Sequence, residues 1–242
     1  MESKERIFRV RASQLGQIMT ESRKKGELSQ TAKSAVLMQW MRDRYGYEER
    51  IYSDAMRKGT EGELDAIALW DHVAGDRMNR VNSEWRKTLG KQSYYENEYV
   101  HGTPDIVLPD CVEDIKCSQN MRTFFTAEMT KDYEYQLRAY MWLTGLKKAR
   151  LVYCLLPDPE WLMAKRLRQI EYNVRFDQEL DEQDFIIRQN DIIKDMHPRE
   201  CVRVFDVQHD DEIIERIKER IGECREYYGS IRHERHPGLN YI

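Results

Sequence analysis

The sequence predicts an α/β fold in which a mixed central β-sheet is flanked by helices. Apolar residues at helical spacing dominate the chain before residue 73 and again over 131–146. Between these segments, and again at 150–156 and 202–207, short apolar or alternating runs are typical of strands. Because helices and strands alternate along the chain, we expect layers of helices packed against one mixed sheet.

The N-terminal part is predicted to be helical. Ser13 precedes a short run at 14–19, and its side chain is of the kind that caps helix N-termini. A polar, glycine-containing segment then predicts a loop, and a helix is expected after Ser29 to about Tyr45. A third helix is predicted over 56–72.

Strands are predicted in the middle of the chain. The segment 94–107 alternates well enough for a hairpin or two strands, with a break at 102–104. A short strand over 111–117 would place Asp114 and Lys116 on the same face, because side chains alternate along a strand.

The C-terminal half is predicted to continue with both kinds of element. A strong helix covers 131–146 and ends at Gly145, and a buried-type strand follows at 150–156. The remaining predictions are a strand or two around 170–176, a helix at 181–194, a strand at 202–207 and a helix at 211–228.

Composition limits the classes of function. The 242 residues suit one large domain or a domain with an extension, at about 150 residues per domain. The net charge of -4 argues against a tail-driven nucleic-acid binder, although it permits local basic grooves. The five cysteines form no CxxC pair, so a zinc ribbon is not supported. No segment has the apolar length of a membrane span, and we expect a cytoplasmic protein without membrane attachment.

A candidate metal site lies on the predicted middle strands. Asp105 follows Pro104, and Asp114 and Lys116 come nine and eleven residues after Asp105. Two carboxylates that converge from paired strands make an oxygen-rich site for Mg²⁺ or Mn²⁺, and the backbone carbonyl of Ile115 could add a ligand. A solvated sheet edge would account for the same charges.

Two helical segments add candidates to this site. Glu63 lies in the predicted third helix, where it could complete a set of three carboxylates. Gln136 and Tyr140 are four residues apart in the helix at 131–146 and therefore share a face.

Five short motifs in order resemble the PD-(D/E)xK nuclease superfamily, and more narrowly its RecB-like, lambda-exonuclease (YqaJ, viral recombinase) branch. They are Arg11-Ala12-Ser13, Gly59 with Glu63, Pro104-Asp105, Asp114-Ile115-Lys116-Cys117, and Gln136 with Tyr140. Glu113 beside Asp114 leaves a shifted register open, and Asp110 is a further candidate carboxylate. The resemblance covers about 6–156. It implies a single nuclease domain, 1–242, with a restriction-endonuclease-like core and an extension at 157–242 that packs on it.

The resemblance also implies roles for these residues. One or two Mg²⁺ or Mn²⁺ ions would be held by Glu63, Asp105, Asp114 and the Ile115 carbonyl. Lys116 would position or activate the attacking water. Gln136 would orient Lys116 or a phosphate, and Tyr140 would support the helix face. Ser13, with Arg6 or Arg11, would bind the 5′-phosphate of the strand being cut.

The implied function is that of a Mg²⁺-dependent, phage-type 5′-to-3′ exonuclease that acts on linear double-stranded DNA. It would produce single-stranded tails for a recombination annealing protein and would form a homo-oligomer, with a trimer as the expected form. A structure- or sequence-selective endonuclease with the same metal site is one alternative. A DNA-binding module without catalysis is the other, although an intact Glu63, Asp105, Asp114 and Lys116 set argues against it.

Overall fold

The computed structural model describes residues 8–49, 52–75, 93–173 and 176–234, and it contains the predicted mixed sheet. The central sheet has four strands in the order β4-β5-β6-β7, in which β5 and β6 are parallel and both outer pairs are antiparallel. These strands are β4 (Ile106–Val107), β5 (Val112–Ser118), β6 (Lys148–Leu155) and β7 (Val202–Gln208).

A second, smaller sheet has three short strands in the order β1-β3-β2. Its strands are β1 (Val10–Arg11), β2 (Tyr95–Glu96) and β3 (Val100–Gly102). Strand β1 runs parallel to β3, and β2 forms the predicted hairpin with β3. The chain leaves β3 directly toward Asp105 and β4, so this sheet positions one side of the candidate site.

Helices cover both faces of the central sheet. They are α1 (Leu15–Ile18), α2 (Gln30–Tyr45), α3 (Asp54–Glu61), α4 (Glu63–Ala74), α5 (Met121–Phe125), α6 (Lys131–Thr144), α7 (Glu160–Asn173), α8 (Phe176–Asp195) and α9 (Asp211–Glu234). Short 3-10 turns lie at Ala12–Gln14 and Pro198–Cys201. None of the described helices is long and apolar enough to cross a membrane.

The two best-predicted helices have the expected boundaries. The Ser29 hydroxyl accepts the Ala32 N–H at 3.0 Å and caps α2. Helix α6 ends at Gly145, whose φ of 74° is the left-handed conformation that glycine adopts readily.

The Ser13 prediction is wrong in its local detail. Ser13 lies inside the 3-10 turn, and Gln14 occupies the N-cap position of α1 without a side-chain capping bond. The Ser13 side chain is exposed, so the chain enters α1 through a tight turn and not through a hydroxyl cap.

The predicted third helix is two helices, α3 and α4, separated at Gly62. A Cβ at Gly62 would lie 2.9 Å from the Lys58 carbonyl oxygen and 3.2 Å from Leu156 Cδ1. Close packing on the end of β6 therefore requires glycine at this break. As a result Glu63 is the first residue of α4, and not one turn inside a continuous helix.

The strand predicted around 170–176 is also wrong, because α7 occupies that segment as far as Asn173 and α8 begins at Phe176. Leu162 and Ile170 are both buried and lie eight residues apart, which is a helical repeat. The run between them is rich in good helix formers, and these outweigh the local β-branched and aromatic residues.

Two apolar cores lie on opposite faces of the central sheet. The larger one contains Val112 and Leu151 with buried residues of α2, α6 and α9, and the smaller one packs Ile67 and Trp70 of α4 against Ile115. Strand β7 pairs with β6 along its length, and α9 contributes to the larger core. The C-terminal third therefore completes both the sheet and the core.

Candidate active site

The site lies at the edge of β5 that faces β4. The pairing between β4 and β5 covers only Val112 and Glu113, so from Asp114 onward this edge has no strand partner in the described chain. The Asp105 side chain takes that place, since its Oδ2 accepts the Ile115 N–H at 2.7 Å. A side chain thus satisfies a backbone donor that the sheet leaves free.

Asp114 and Lys116 project from the same face of β5, as predicted. Lys116 Nζ lies 2.5 Å from Asp114 Oδ2, and the Asp114 side chain is 3% exposed. Asp114 Oδ2 is buried and accepts no hydrogen bond within the described chain, so its contact with Lys116 is an ion pair. A divalent cation bound at this carboxylate oxygen would share it with the Lys116 ammonium or displace that ammonium.

Glu113 faces the opposite side of the sheet, which resolves the question of register. It is fully buried and accepts hydrogen bonds from Trp70 Nε1 at 2.9 Å and from Arg150 Nη1 at 3.1 Å. The site-facing acid is therefore Asp114. Asp110 is exposed in the turn before β5 and does not belong to this cluster.

Gln136 and Tyr140 of α6 cover the face that carries Asp114. Gln136 Nε2 lies 3.2 Å from Asp114 Oδ1 and 3.0 Å from the Tyr140 hydroxyl, which donates to the Thr103 carbonyl at 3.4 Å. Gln136 is 6% exposed. The helix is thus tied both to β5 and to the segment that precedes Asp105. The side-chain amide of Gln136 donates hydrogen bonds to Asp114 and Tyr140, and the role that the resemblance implies for it, orienting Lys116 or a phosphate, stays a prediction.

Glu63 begins α4, on the other face of the sheet, and its charge reaches the site. Burial, followed by the negative charge of Asp114 and least by that of Glu63, raises the pKa of Asp105 to about 7 against the opposing effects of Lys116 and the Ile115 N–H. The Asp105 and Asp114 carboxylates therefore repel one another, with a smaller effect of Glu63, and a divalent cation would relieve this repulsion.

The cationic member of the cluster stays charged. Burial alone lowers the pKa of Lys116, but the carboxylates of Asp114 and Asp105 outweigh it and raise the pKa above its usual value. Burial, followed by the charge of Asp114, raises the pKa of Tyr140 to about 12, so its hydroxyl keeps its proton at neutral pH.

Tyr133 is a site residue that the sequence interpretation missed. Lys116 Nζ lies 5.5 Å from the centroid of its ring, within the range of a cation–π contact. The available signal was its position three residues before Gln136, which places both on one face of α6.

Two of the three candidates for phosphate binding, Arg11 and Ser13, flank Ala12, which packs near Tyr140. Arg6 is outside the described residues. Arg11 and Ser13 are both exposed on the turn around Ala12. A Cβ at Gly102 would lie 2.8 Å from Tyr140 Cε1 and 3.1 Å from Ala12 Cβ, so this turn packs against the ring that supports Gln136.

The donor set suits a hard divalent cation. Within the described ranges no three His, Cys, Asp or Glu side chains are already gathered around one metal position. The Lys116 ammonium instead occupies the place beside Asp114 where a cation would lie. Asp114 Oδ2, which accepts no hydrogen bond in the described chain, and the nearby Asp105 carboxylate fit Mg²⁺ or Mn²⁺, which prefer oxygen ligands.

Comparison with known proteins gives structural likenesses alone. No protein-family model matches the chain, and no curated protein matches it. A phage-related exonuclease from Haemophilus somnus 129PT is similar over 95% of this chain and 97% of its own, with a TM-score of 0.68 and 25% identity. An alkaline exonuclease from Laribacter hongkongensis is similar over 94% and 92%, with a TM-score of 0.56 and 16% identity, and its structure with dAMP gives 0.54 and 17%.

These likenesses run well past residue 156, so they include the C-terminal third for which the sequence showed no resemblance. The fold, the motifs in their order and the match to an exonuclease along nearly the whole chain point to one group. The chain therefore has the fold of these exonucleases, which match the lambda-exonuclease (YqaJ-like) branch of the PD-(D/E)xK nucleases that its motifs resemble.

Proposed function

We propose that this protein is a divalent-metal-dependent deoxyribonuclease that degrades linear double-stranded DNA from 5′ ends. The observation that carries the proposal is the cluster of buried Asp114 and Gln136 with half-buried Asp105 and Lys116 at the open edge of β5. Ionisable groups brought this close with little exposure to water cost stability, and such arrangements are typical of functional sites. Phosphodiester hydrolysis at a metal site is such a use.

The metal ligands in this proposal are Glu63, Asp105, Asp114 and the carbonyl of Ile115. The Ile115 N–H points to the open edge of β5, and the carbonyl of the same strand residue points to the same edge. A bound Mg²⁺ or Mn²⁺ would supply Lewis-acid activation of a water and would offset charge on the scissile phosphate. The site would hold one or two such ions.

The chain's own groups then have distinct tasks. Lys116, held charged by its two acidic neighbours, can orient the attacking water or neutralise a phosphate oxygen. Gln136 is a positioning residue, because its amide fixes the Asp114 carboxylate. Tyr140 holds Gln136 in turn and connects it to Thr103, two residues before Asp105.

Action on 5′ ends is supported by the turn at Arg11 and Ser13. Both side chains are exposed, and the turn packs through Ala12 and Gly102 against Tyr140. A terminal phosphate carries more negative charge than an internal one and gains more from charge-assisted hydrogen bonds there. Arg6 remains a predicted third contact.

The similar proteins add to the case for exonuclease action. Both are described as exonucleases, and one was crystallised with dAMP, a deoxymononucleotide of the kind that exonucleases release. For this chain we infer a DNA substrate, a homo-oligomeric and expected trimeric form, a cytoplasmic location and cooperation with a single-strand annealing protein.

The deciding experiment compares three substrates in Mg²⁺: a linear duplex with 5′-phosphates, the same duplex with 5′-hydroxyls, and a covalently closed circle. We expect mononucleotide release from both linear duplexes, faster with the phosphate, and none in EDTA. Efficient cutting of the closed circle would instead identify an endonuclease with the same metal site. Binding of all three without cleavage in Mg²⁺ or Mn²⁺ would identify a non-catalytic module.

A further inference from the structure

A cleft between α3 and α7 lies outside the cluster described above. Its volume is about 480 Å³, and it is lined by Asp54 and Arg57 of α3 and by Trp161, Lys165, Arg168 and Gln169 of α7. Each residue that lines it is polar or aromatic. That composition fits a charged, planar ligand better than an apolar one.

One wall of the cleft is a fixed stack of two planar groups. The guanidinium carbon of Arg57 lies 3.9 Å from the centroid of the Trp161 ring. Glu61 holds both groups, because its two oxygens accept from Arg57 Nε at 2.7 Å and from Trp161 Nε1 at 2.5 Å. An exposed ion pair on its own rarely fixes a geometry, whereas this carboxylate orients a ring and a guanidinium together.

The stack presents a free planar surface to solvent. The Arg57 side chain is 56% exposed although Trp161 covers one face of its guanidinium, so more than half of this side chain remains accessible to a ligand. Guanidinium planes and aromatic rings are the groups on which proteins stack unpaired bases. The Trp161 ring covers one face of the Arg57 guanidinium, and together with the hydrogen bond to Glu61 it restricts rotation of that group.

Two further side chains of the cleft, Arg168 and Lys165, supply positive charge that can bind the phosphates of a DNA strand. Arg168 is exposed and has no acidic partner among the described side chains, and its Nε bonds to the Ala164 carbonyl. Lys165 is exposed and lies 2.7 and 2.8 Å from the two oxygens of Asp54. With Arg57 the cleft has three cations against the two carboxylates of Asp54 and Glu61.

The cleft is close to the cutting site along α3. This helix contacts β5, and the Lys58 ammonium donates to the carbonyl of Gln119, the residue after the end of β5. Helix α3 ends at Glu61, and Glu63, a metal ligand in the proposed function, begins α4 two residues later.

We propose that the cleft between α3 and α7 binds unpaired nucleotides of a DNA strand near the metal site, with a base stacked on the Arg57–Trp161 pair and phosphates on Lys165 and Arg168. The inference rests on the proposed nuclease function, because it assumes that DNA strands separate at this site. It adds a single-strand contact to the duplex-end recognition proposed above.

The test is binding of a fluorescein-labelled oligothymidylate of about 12 nucleotides, within the usual size of a single-strand site, measured by anisotropy in EDTA. We expect Arg57→Ala and Trp161→Ala to weaken binding about fivefold or more, as for the loss of one stacked base. Arg57→Lys keeps the charge but loses the plane, and it should weaken binding nearly as much as Arg57→Ala.

The matched control is Arg188→Ala. Arg188 is also an exposed helical arginine, paired with an acid one turn away, Asp184, but it lies on α8 outside the cleft. Its substitution should leave oligothymidylate affinity unchanged. Thermal denaturation checks that each variant is folded, and Arg57 is exposed enough for its substitution to be tolerated even if Trp161→Ala unfolds the protein.

Affinity for a blunt hairpin duplex separates base stacking from general attraction to phosphates. It should change less than about twofold in Arg57→Lys, because the charge remains. Unchanged oligothymidylate affinity in Arg57→Ala, or equal losses for oligothymidylate and hairpin in Arg57→Lys, would overturn the proposal. Hydrolysis of linear duplex in Mg²⁺ is measured separately on the wild-type protein, so that failure of the nuclease function is distinguishable from failure of the cleft.

Discussion

Asp105 Oδ2 accepts a hydrogen bond from the backbone N–H of Ile115 at 2.7 Å. This bond ties the segment before β4 to β5, between the two residues whose side chains form the Asp114–Lys116 ion pair. The carboxylate therefore completes the sheet edge and joins the charged cluster at once. A substitution of Asp105 can therefore keep the hydrogen bond to the sheet edge while removing the negative charge from the cluster.

Asp114→Asn and Asp105→Asn should abolish DNA cleavage and leave the fold intact. Asparagine keeps the shape and a hydrogen-bond acceptor, but it removes the negative charge that a divalent cation requires. Nuclease activity in Mg²⁺ measures the loss of cleavage, and circular dichroism checks that the fold is intact. Asp110→Asn is the control, because Asp110 is exposed outside the cluster. Activity above about a tenth of wild type in either cluster variant would exclude these residues as essential metal ligands.

Lys116→Ala should lower the cleavage rate about 100-fold or more, the usual scale for a positioned electrostatic or acid–base group. DNA affinity measured in Ca²⁺, which should support binding without turnover, is expected to change little. Lys194→Ala on α8, an exposed lysine paired with Asp191, serves as the control. Equal losses of affinity and rate would make Lys116 a binding residue and not a catalytic one.

Asp105→Asn should also stabilise the metal-free protein at alkaline pH. The folded-state pKa of Asp105 is raised to about 7, above the unfolded value of roughly 3.9, so the folded protein binds the proton more tightly. The resulting stability is fully present below the unfolded pKa and is lost as pH rises toward about 7.

In EDTA the variant should therefore exceed the wild type in unfolding free energy at about pH 8.5, with an advantage at about pH 5 that is smaller by roughly 2 kcal/mol. Chemical denaturation of the variant and the wild type at each of the two pH values gives the unfolding free energies to be compared. Adding Mg²⁺ at about pH 8.5 should stabilise the wild type more than the variant, because only the wild type keeps all three carboxylates. An advantage that does not change with pH would contradict the electrostatic explanation.

Lys58→Met should destabilise the protein by about 3 kcal/mol, the lower end of the scale for breaking a buried ion pair, because Arg166 Nη1 still pairs with Asp158 at 2.7 Å. The Lys58 side chain is 3% exposed, and its ammonium donates to the carbonyls of Gln119 and Leu156 and to Asp158 Oδ1 at 2.9 to 3.1 Å. These bonds fasten α3 to the ends of β5 and β6. Urea denaturation gives the value, and Lys194→Met should change it by less than about 1 kcal/mol, since that lysine is exposed.

The sequence by itself determined the features that depend on neighbours along the chain. The side-chain alternation of a strand put Asp114 and Lys116 on one face, and the four-residue helical spacing put Gln136 beside Tyr140. Ser29 and Gly145 marked helix ends through local hydrogen bonding and backbone freedom. Each of these features needs only a few consecutive residues, so each could be predicted without knowledge of the rest of the fold.

The tertiary structure decided whatever depends on residues far apart in the chain. Glu113 and Asp114 are equivalent as acids, and the site uses Asp114 because Trp70 and Arg150 bind Glu113 on the opposite face. The break at Gly62 exists because Leu156 packs against it. Arg57 and Trp161 come together only when α3 and α7 pack, and Glu61 lies 100 residues from the ring that it holds. Local periodicity carries no information about such contacts, because burial and pairing are properties of the assembled layers.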